Sequence, residues 1–236
     1  MPKSFIILFL LFAINGYSQG ASEYSKADLI GKGNPIFHGD DHKLQKEAHE
    51  AFEKMRNAAL KDGIKIRVVS SYRGFEHQKG IWTRKYNRFT KQGMSPQTAI
   101  SKIIEYSTIP GTSRHHWGTD IDIVDGGMPQ PKSVLEPSHF SEGKVFYNFK
   151  KWMDANANNF GFYLVYTSVD GRKGFKYEPW HFSYKPISQK MLMQYKAMDI
   201  KEMLQKEKIV GGDYFTDEFI KAYRNENILD INPKLK

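Results

Sequence analysis

FYLVYTSVDGRKGFKYEPWHFSY, residues 162–184, decides the fold. Two runs rich in aromatic and β-branched residues flank Asp170-Gly171, a dipeptide suited to a tight turn, and together they predict an antiparallel hairpin. In the second run Trp180, Phe182 and Tyr184 alternate onto one face, so His181 and Ser183 point to the other. Two further stretches show the same period of two. IKIRVVSSYR (64–73) places Ile64, Ile66 and Val68 on one side and delivers residues 70–73 to a loop. Residues 118–125 place Thr119, Ile121 and Ile123 on an apolar face and Asp120, Asp122 and Val124 on the opposite one.

Between these strands the period changes to that of a helix. Leu44, Ala48, Phe52, Met55 and Ala59 share one face of a helix capped by Asp40 or Asp41, running to about Lys61 with Gly63 past its end. Ser95-Pro96 opens another through about Tyr106. A third spans roughly residues 144–158, with Val145, Phe149, Trp152 and Met153 inward. Residues 126–143 read as a long loop. Residues 186–227 read as two more helices separated by Gly211-Gly212, the second capped by Thr216. Helices and hairpin-linked strands without regular alternation predict an α+β fold rather than a parallel doubly wound sheet.

The chain of 236 residues suits one main domain. Its first twenty residues place Lys3 before an apolar run, Phe5 to Ala13, then small residues at Gly16 and Ser18. This is the pattern of an export signal covering residues 1–18, and the run is shorter than the roughly 20 residues a membrane span needs. No transmembrane segment is then expected in the mature chain, and a monomer in the periplasm or cell envelope is. The sequence has no cysteine, so an exported chain must rely on packing, or a metal, in place of disulfides. A formal charge of +9 favours polyanionic surroundings such as cell-wall polymers or lipid head groups. No dense Lys/Arg stripe of a nucleic-acid site is present.

Several chemistries are excluded. His49-Glu50 is the only His-Glu pair and position 53 is Glu, so there is no His-Glu-x-x-His helix. GTSRH (111–115) lacks the final glycine of a nucleophile elbow. Ser141-x-x-Lys144 stands without its partner triplets. GKGNP (31–35) lacks the spacing of a phosphate loop. A zinc reading survives. His115, Asp122 and His181 supply two imidazoles and a carboxylate, the donor set of a hydrolytic site with a fourth position for water. Pro179 breaks the strand start, which lets Glu178 lean toward His181 as a general base. On spacing alone, structural roles are the commoner reading of such residues. His38 and His42 in HGDDH (38–42) also suit a metal, although a capped helix start accounts for them better.

SRHHWGTDID (113–122), EPWHF (178–182) and SSYRGFEHQ (70–78) together resemble three ordered motifs of the vancomycin-resistance-type D-alanyl-D-alanine carboxypeptidases. That family belongs to a larger group with lysostaphin-like peptidases and the hedgehog domain. The likeness covers roughly residues 27–185 and implies a small antiparallel β-sheet flanked by helices, to which residues past the last motif add a C-terminal helical segment. It implies that His115, Asp122 and His181 hold Zn2+, that Glu178 is the catalytic base, and that Arg73 meets the substrate's carbonyl or terminal carboxylate. Gln78 and Ser113 would help position the peptide. The substrate implied is a peptidoglycan stem peptide, with residues 19–185 as the peptidase domain and 186–236 as the extension. An endopeptidase, a zinc-containing cell-wall-binding module without turnover, and a plain polyanion-binding protein are the competing readings; the presence of both Glu178 and Arg73 favours the enzyme. Two features depart from the family: Asp120 stands where a small residue is usual, as a neighbour of the ligands, a reshaper of the pocket or a tolerated rim change, and the tail extends well past the last motif.

Overall fold

The computed structural model describes residues 23–236, so the export signal expected over residues 1–18 lies outside the described residues. At its centre is a four-stranded sheet of β1 (Ile66–Ser70), β2 (Asp120–Asp125), β3 (Phe162–Leu164) and β4 (His181–Tyr184), in the order β1-β2-β4-β3, with every pairing antiparallel. The α+β expectation holds. One face of the sheet is sealed by α2 (Lys46–Lys61), which follows a short α1 (Lys26–Leu29), and by α5 (Tyr147–Asn156). Phe52 of α2 is fully buried, its ring edge-on to Phe162 at 6.2 Å. Truncating it to alanine would cost about 3–5 kcal/mol through lost transfer energy and the cavity left behind.

Four local expectations change. α2 starts at Lys46, after a bridge between His38 and Leu44, because Asp41 is engaged by Arg56 and His42 and does not cap the helix. The tight hairpin is a β3/β4 pair joined by the longer excursion 165–180. Its tip is tied to the C-terminal tail by Arg172, which donates to Thr167 O and Asp230 O, and by the Gly174 N–H on Asp230. A helix with no strong sequence signal, α3 (Phe75–Lys91), follows β1; Gly74 caps it without a side-chain bond, and burial of Phe75, Gln78 and Trp82 holds it. The chain continues through α4 (Pro96–Ile103), whose N-cap Ser95 accepts from Thr98 N as expected.

The tail forms three helices, not two: α6 (Lys185–Lys196), α7 (Ile200–Lys206) and α8 (Asp217–Tyr223). Asp199 supplies the overlooked break, its side chain accepting from Glu202 N at 2.9 Å. These helices share the hydrophobic core of the sheet. They also brace residues 109–112, the approach to the ligand motif: Tyr223 Oη accepts from Ile109 N at 3.0 Å, and Tyr195 Oη donates to Gly111 O at 2.8 Å.

Candidate active site

Cross-strand register brings the first two candidate ligands together. Asp122 of β2 lies directly opposite His181 of β4, so both side chains leave the same face of the sheet. His115 arrives from a 3-10 turn, Arg114–Trp117, capped by Ser113 Oγ, which accepts from His115 N at 3.3 Å. Gly118 ends that turn at φ 63°, in the left-handed region, and a Cβ there would run into the Phe37 ring. The His115 and His181 rings stand 4.7 Å apart, and His115 Nε2 is 3.3 Å from Asp122 Oδ2. His115, Asp122 and His181 offer ligand atoms within 4.8 Å of one another.

Hydrogen bonds decide which nitrogen each imidazole presents. His115 Nδ1 donates to Ser71 O at 2.8 Å, leaving Nε2 toward Asp122. His181 Nε2 donates to Asp120 Oδ2 at 3.0 Å, leaving Nδ1 toward Glu178 Oε2, 2.9 Å away, and Asp122 Oδ1, 3.9 Å away. His115 Nε2 and Asp122 Oδ1 are buried without a hydrogen-bond partner. Orphaned buried polar atoms are costly, and two that converge fit a cation between them. His116 points elsewhere: its Nδ1 donates to Arg73 O, its Nε2 accepts from Gly111 N, and burial pushes its imidazole down to about 3.

Glu178 reaches the ligands through a turn. The His181 N–H donates to Glu178 O at 3.1 Å with Pro179 next in line, the proline position of a β-turn, so a residue three before the ligand returns to its side. Burial raises the Glu178 carboxyl above its ordinary value, with the His181 bond opposing. Burial alone would lower His181, but the bonds to Asp120 and Glu178 lift it to about 9, while burial opposed by His115 and His181 leaves Asp122 at about 2.

Asp120 is not at a rim. It is fully buried and accepts from Arg114 Nε at 2.9 Å, Ser183 Oγ at 2.6 Å, Thr119 Oγ1 at 2.8 Å and His181 Nε2 at 3.0 Å. Arg114 also donates to Ser183 Oγ at 2.6 Å. Despite burial, the Arg114 guanidinium and His181 hold the Asp120 carboxyl well below the usual carboxylate range.

The candidate ligands open into a cleft of about 640 Å³ whose walls include Arg73, Lys85, Ser113, Tyr166 and Trp180. Arg73 is anchored by Nη1 on Gln78 Oε1 at 3.1 Å. Gln78 itself is fully buried and donates to Thr108 O at 2.8 Å, so it reaches the cleft only through the Arg73 side chain it anchors. Two further cleft residues, Lys85 and Tyr166, belong to no motif in the sequence. Lys85 sits on α3, the helix without a sequence signal; burial and Arg73 lower its ammonium. Tyr166, edge-on to His181 at 5.2 Å, read only as a strand aromatic.

A small antiparallel sheet presenting two imidazoles and a carboxylate beside a buried glutamate has the make-up of a metal-dependent hydrolase. The family model described as VanY, D-alanyl-D-alanine carboxypeptidase, matches residues 41–187, and the chain belongs to that family. A D-alanyl-D-alanine carboxypeptidase of Enterococcus faecalis is 28% identical over 156 residues, covering 64% of this chain. The chain spans about half, 52%, of that relative's length. Among solved structures, VanYB in complex with D-alanine-D-alanine shares the fold at a TM-score of 0.52 and 22% identity, over 75% of this chain and 92% of that one. A mutant of the vancomycin-resistance D,D-pentapeptidase VanY in complex with Zn(II) aligns at 0.51 and 22% identity, over 71% and 87%.

Proposed function

We propose that the chain is an exported zinc-dependent D-alanyl-D-alanine carboxypeptidase that trims peptidoglycan stem peptides, with residues 1–18 as its signal, 19–185 as its peptidase domain and 186–236 as an extension. The observation that carries the reading is the convergence of His115 Nε2, Asp122 Oδ1 and His181 Nδ1, two of them buried and unbonded, next to a glutamate of raised pKa. The family membership and the Zn(II) complex of a fold neighbour support the same choice of metal.

His115, Asp122 and His181 would hold the zinc, whose Lewis acidity, when bound, polarises a carbonyl and readies water as a nucleophile near neutral pH. Glu178 takes the proton of the attacking water and returns it to the leaving amine; its raised pKa suits a group that must both accept and give. Arg73 offers a planar cation, with Nε uncommitted, to the terminal carboxylate of the substrate. Ser113 lines the same wall, and Tyr166 and Trp180 give the cleft its apolar side.

The test is hydrolysis of defined muropeptides ending in tetrapeptide or pentapeptide, with and without chelator. Release of D-alanine from the pentapeptide, abolished by chelator and restored by zinc, is expected. Activity indifferent to chelator would overturn the mechanism. Release of a dipeptide would overturn the exopeptidase assignment, and cleavage of the tetrapeptide alone would replace D,D with L,D specificity.

A further inference from the structure

The segment HGDDH, residues 38–42, does not begin a helix, and its histidines are employed otherwise. The His42 side chain is sealed between Phe52, edge-on at 4.9 Å, and the backbone at Gly39, where a Cβ would collide with the imidazole. Its Nδ1 lies 2.8 Å from Asp41 Oδ1. With the Nδ1 proton donated there, Nε2 keeps a free lone pair, aimed at His49 Nδ1, 2.9 Å away, and Glu53 Oε1, 4.0 Å away. His49 and Glu53 are four residues apart on α2 and share one helix face. The three ligand atoms lie within 4.8 Å of one another. The 2.9 Å from His42 Nε2 to His49 Nδ1 and the 4.0 Å to Glu53 Oε1 fall either side of the edge of a tetrahedron with ~2.1 Å bonds, roughly 3.4 Å. The His38 ring stands 6.0 Å from that of His49, a fourth donor close by.

We propose that His42 Nε2, His49 Nδ1 and the Glu53 carboxylate form a second site for a divalent transition-metal ion such as zinc, separate from the His115–Asp122–His181 cluster. Two imidazoles, one oriented by a carboxylate behind it, and one carboxylate ligand are a zinc-type donor set. Burial lowers the His42 imidazole, with Asp41 opposing, a direction that favours the neutral form. In the metal-free protein the two rings share one hydrogen bond between His42 Nε2 and His49 Nδ1; an ion takes its place with the His49 proton on Nε2, the tautomer that frees Nδ1 to ligate. Glu53 also pairs with Arg56 Nη1 at 3.3 Å, but Arg56 retains both oxygens of Asp41, at 3.0 and 2.8 Å, so turning Glu53 to an ion strands no cation. His49 and Glu53 are half-buried, which leaves a way in from solvent.

The placement gives the ion a task. Lys43 N donates to Ser71 Oγ at 2.9 Å and Lys43 O accepts from Tyr72 N at 3.3 Å, while Ser71 O is the group that orients His115. Gln45 N bonds Gly118 O at 2.9 Å, at the end of the His115 turn. An ion clipping the 38–45 loop to α2 braces the frame behind His115, in a chain with no cysteine to staple it.

Titration of the metal-free full chain with Zn2+ against a chromophoric chelator, and with Co2+ for its d–d absorption, tests this. The wild type should take up two equivalents, H115A one, H49Q or E53Q one, and H49Q/H115A none. In H115A the remaining equivalent should raise the thermal midpoint, and in H49Q/H115A zinc should not. Uptake of a single equivalent by the wild type, lost in H115A, would overturn the proposal. So would a second equivalent that survives both H49Q and E53Q. The single H49Q variant keeps the test open where H115A fails to fold, and loss of the peptidase reading would leave the count at this site unchanged.

Discussion

Replacing Asp120 with asparagine separates what the carboxylate does for folding from what it does for the candidate metal site. The side chain is fully buried and accepts four hydrogen bonds, from Arg114, Ser183, Thr119 and His181. Asparagine keeps the shape but removes the charge that matches the Arg114 guanidinium, whose side chain is only 5% exposed and whose Nη1 already has no partner. Breaking a buried pair by removing one partner costs about 3–5 kcal/mol, because the other charge stays buried. The same change withdraws the carboxylate behind His181 Nε2, and the loss of such a partner weakens metal binding by about 10–100-fold. Urea unfolding of chelated protein reads the first quantity and competitive zinc titration the second. In D120N/R114M the stranded cation is gone and Met fills the space over the Trp117 ring, 4.7 Å from the guanidinium. Folding stability should recover most of its loss there, while zinc affinity stays low. A D120N protein that binds zinc within about twofold of wild type would refute the orienting role, since that role predicts at least about tenfold. Failure of R114M to restore stability would refute the charge-pair account.

Glu178→Gln should lower turnover by about 10²–10⁴-fold in a muropeptide assay while zinc uptake is retained, because it removes a proton acceptor and no candidate ligand. Gln78→Leu should lower kcat/KM through a misplaced Arg73, and should also destabilise by about 1–3 kcal/mol by leaving the buried Thr108 carbonyl unpaired. Equal kcat/KM in Q78L and wild type would disconnect the two side chains. Tyr223→Phe removes the hydroxyl that serves Ile109 N and Thr112 Oγ1 and should cost about 1–3 kcal/mol in urea unfolding, a measure of how firmly the tail supports the approach to His115.

What was legible in the sequence follows from what each pattern encodes. Period-two alternation put Asp122 and His181 on polar faces because a strand has no other way to pair an apolar core side with chemistry. Pro179 announced the break that returns Glu178 to the ligands, and it does so as the second residue of a turn. α3 left no comparable mark. Its N-cap is a glycine without a side-chain bond, and it is held by the burial of Phe75, Gln78 and Trp82, a tertiary effect that no local window contains. Lys85, carried on that helix, is equally unmarked. The HGDDH stretch misled for a related reason: Asp41 has the composition of a cap, but Arg56, fifteen positions on, claims its carboxylate.

Asp120 shows why single positions resist such reading. An acid in a fully buried strand looks like an error until two other positions are considered with it. Ser183 is its register partner on β4, and Arg114 lies on the turn that carries His115. Arg114 bonds both, at 2.9 Å to Asp120 and 2.6 Å to Ser183, so the charge is neutralised where it is buried and the hydroxyl is used in both directions. Any one of the three alone in that place would be a buried polar group without enough partners, and each would cost stability. Together they form one unit that ends on His181 Nε2. The Asp120 carboxylate therefore fixes His181 through a unit carried by three positions at once, one of which, Arg114, also lines the cleft.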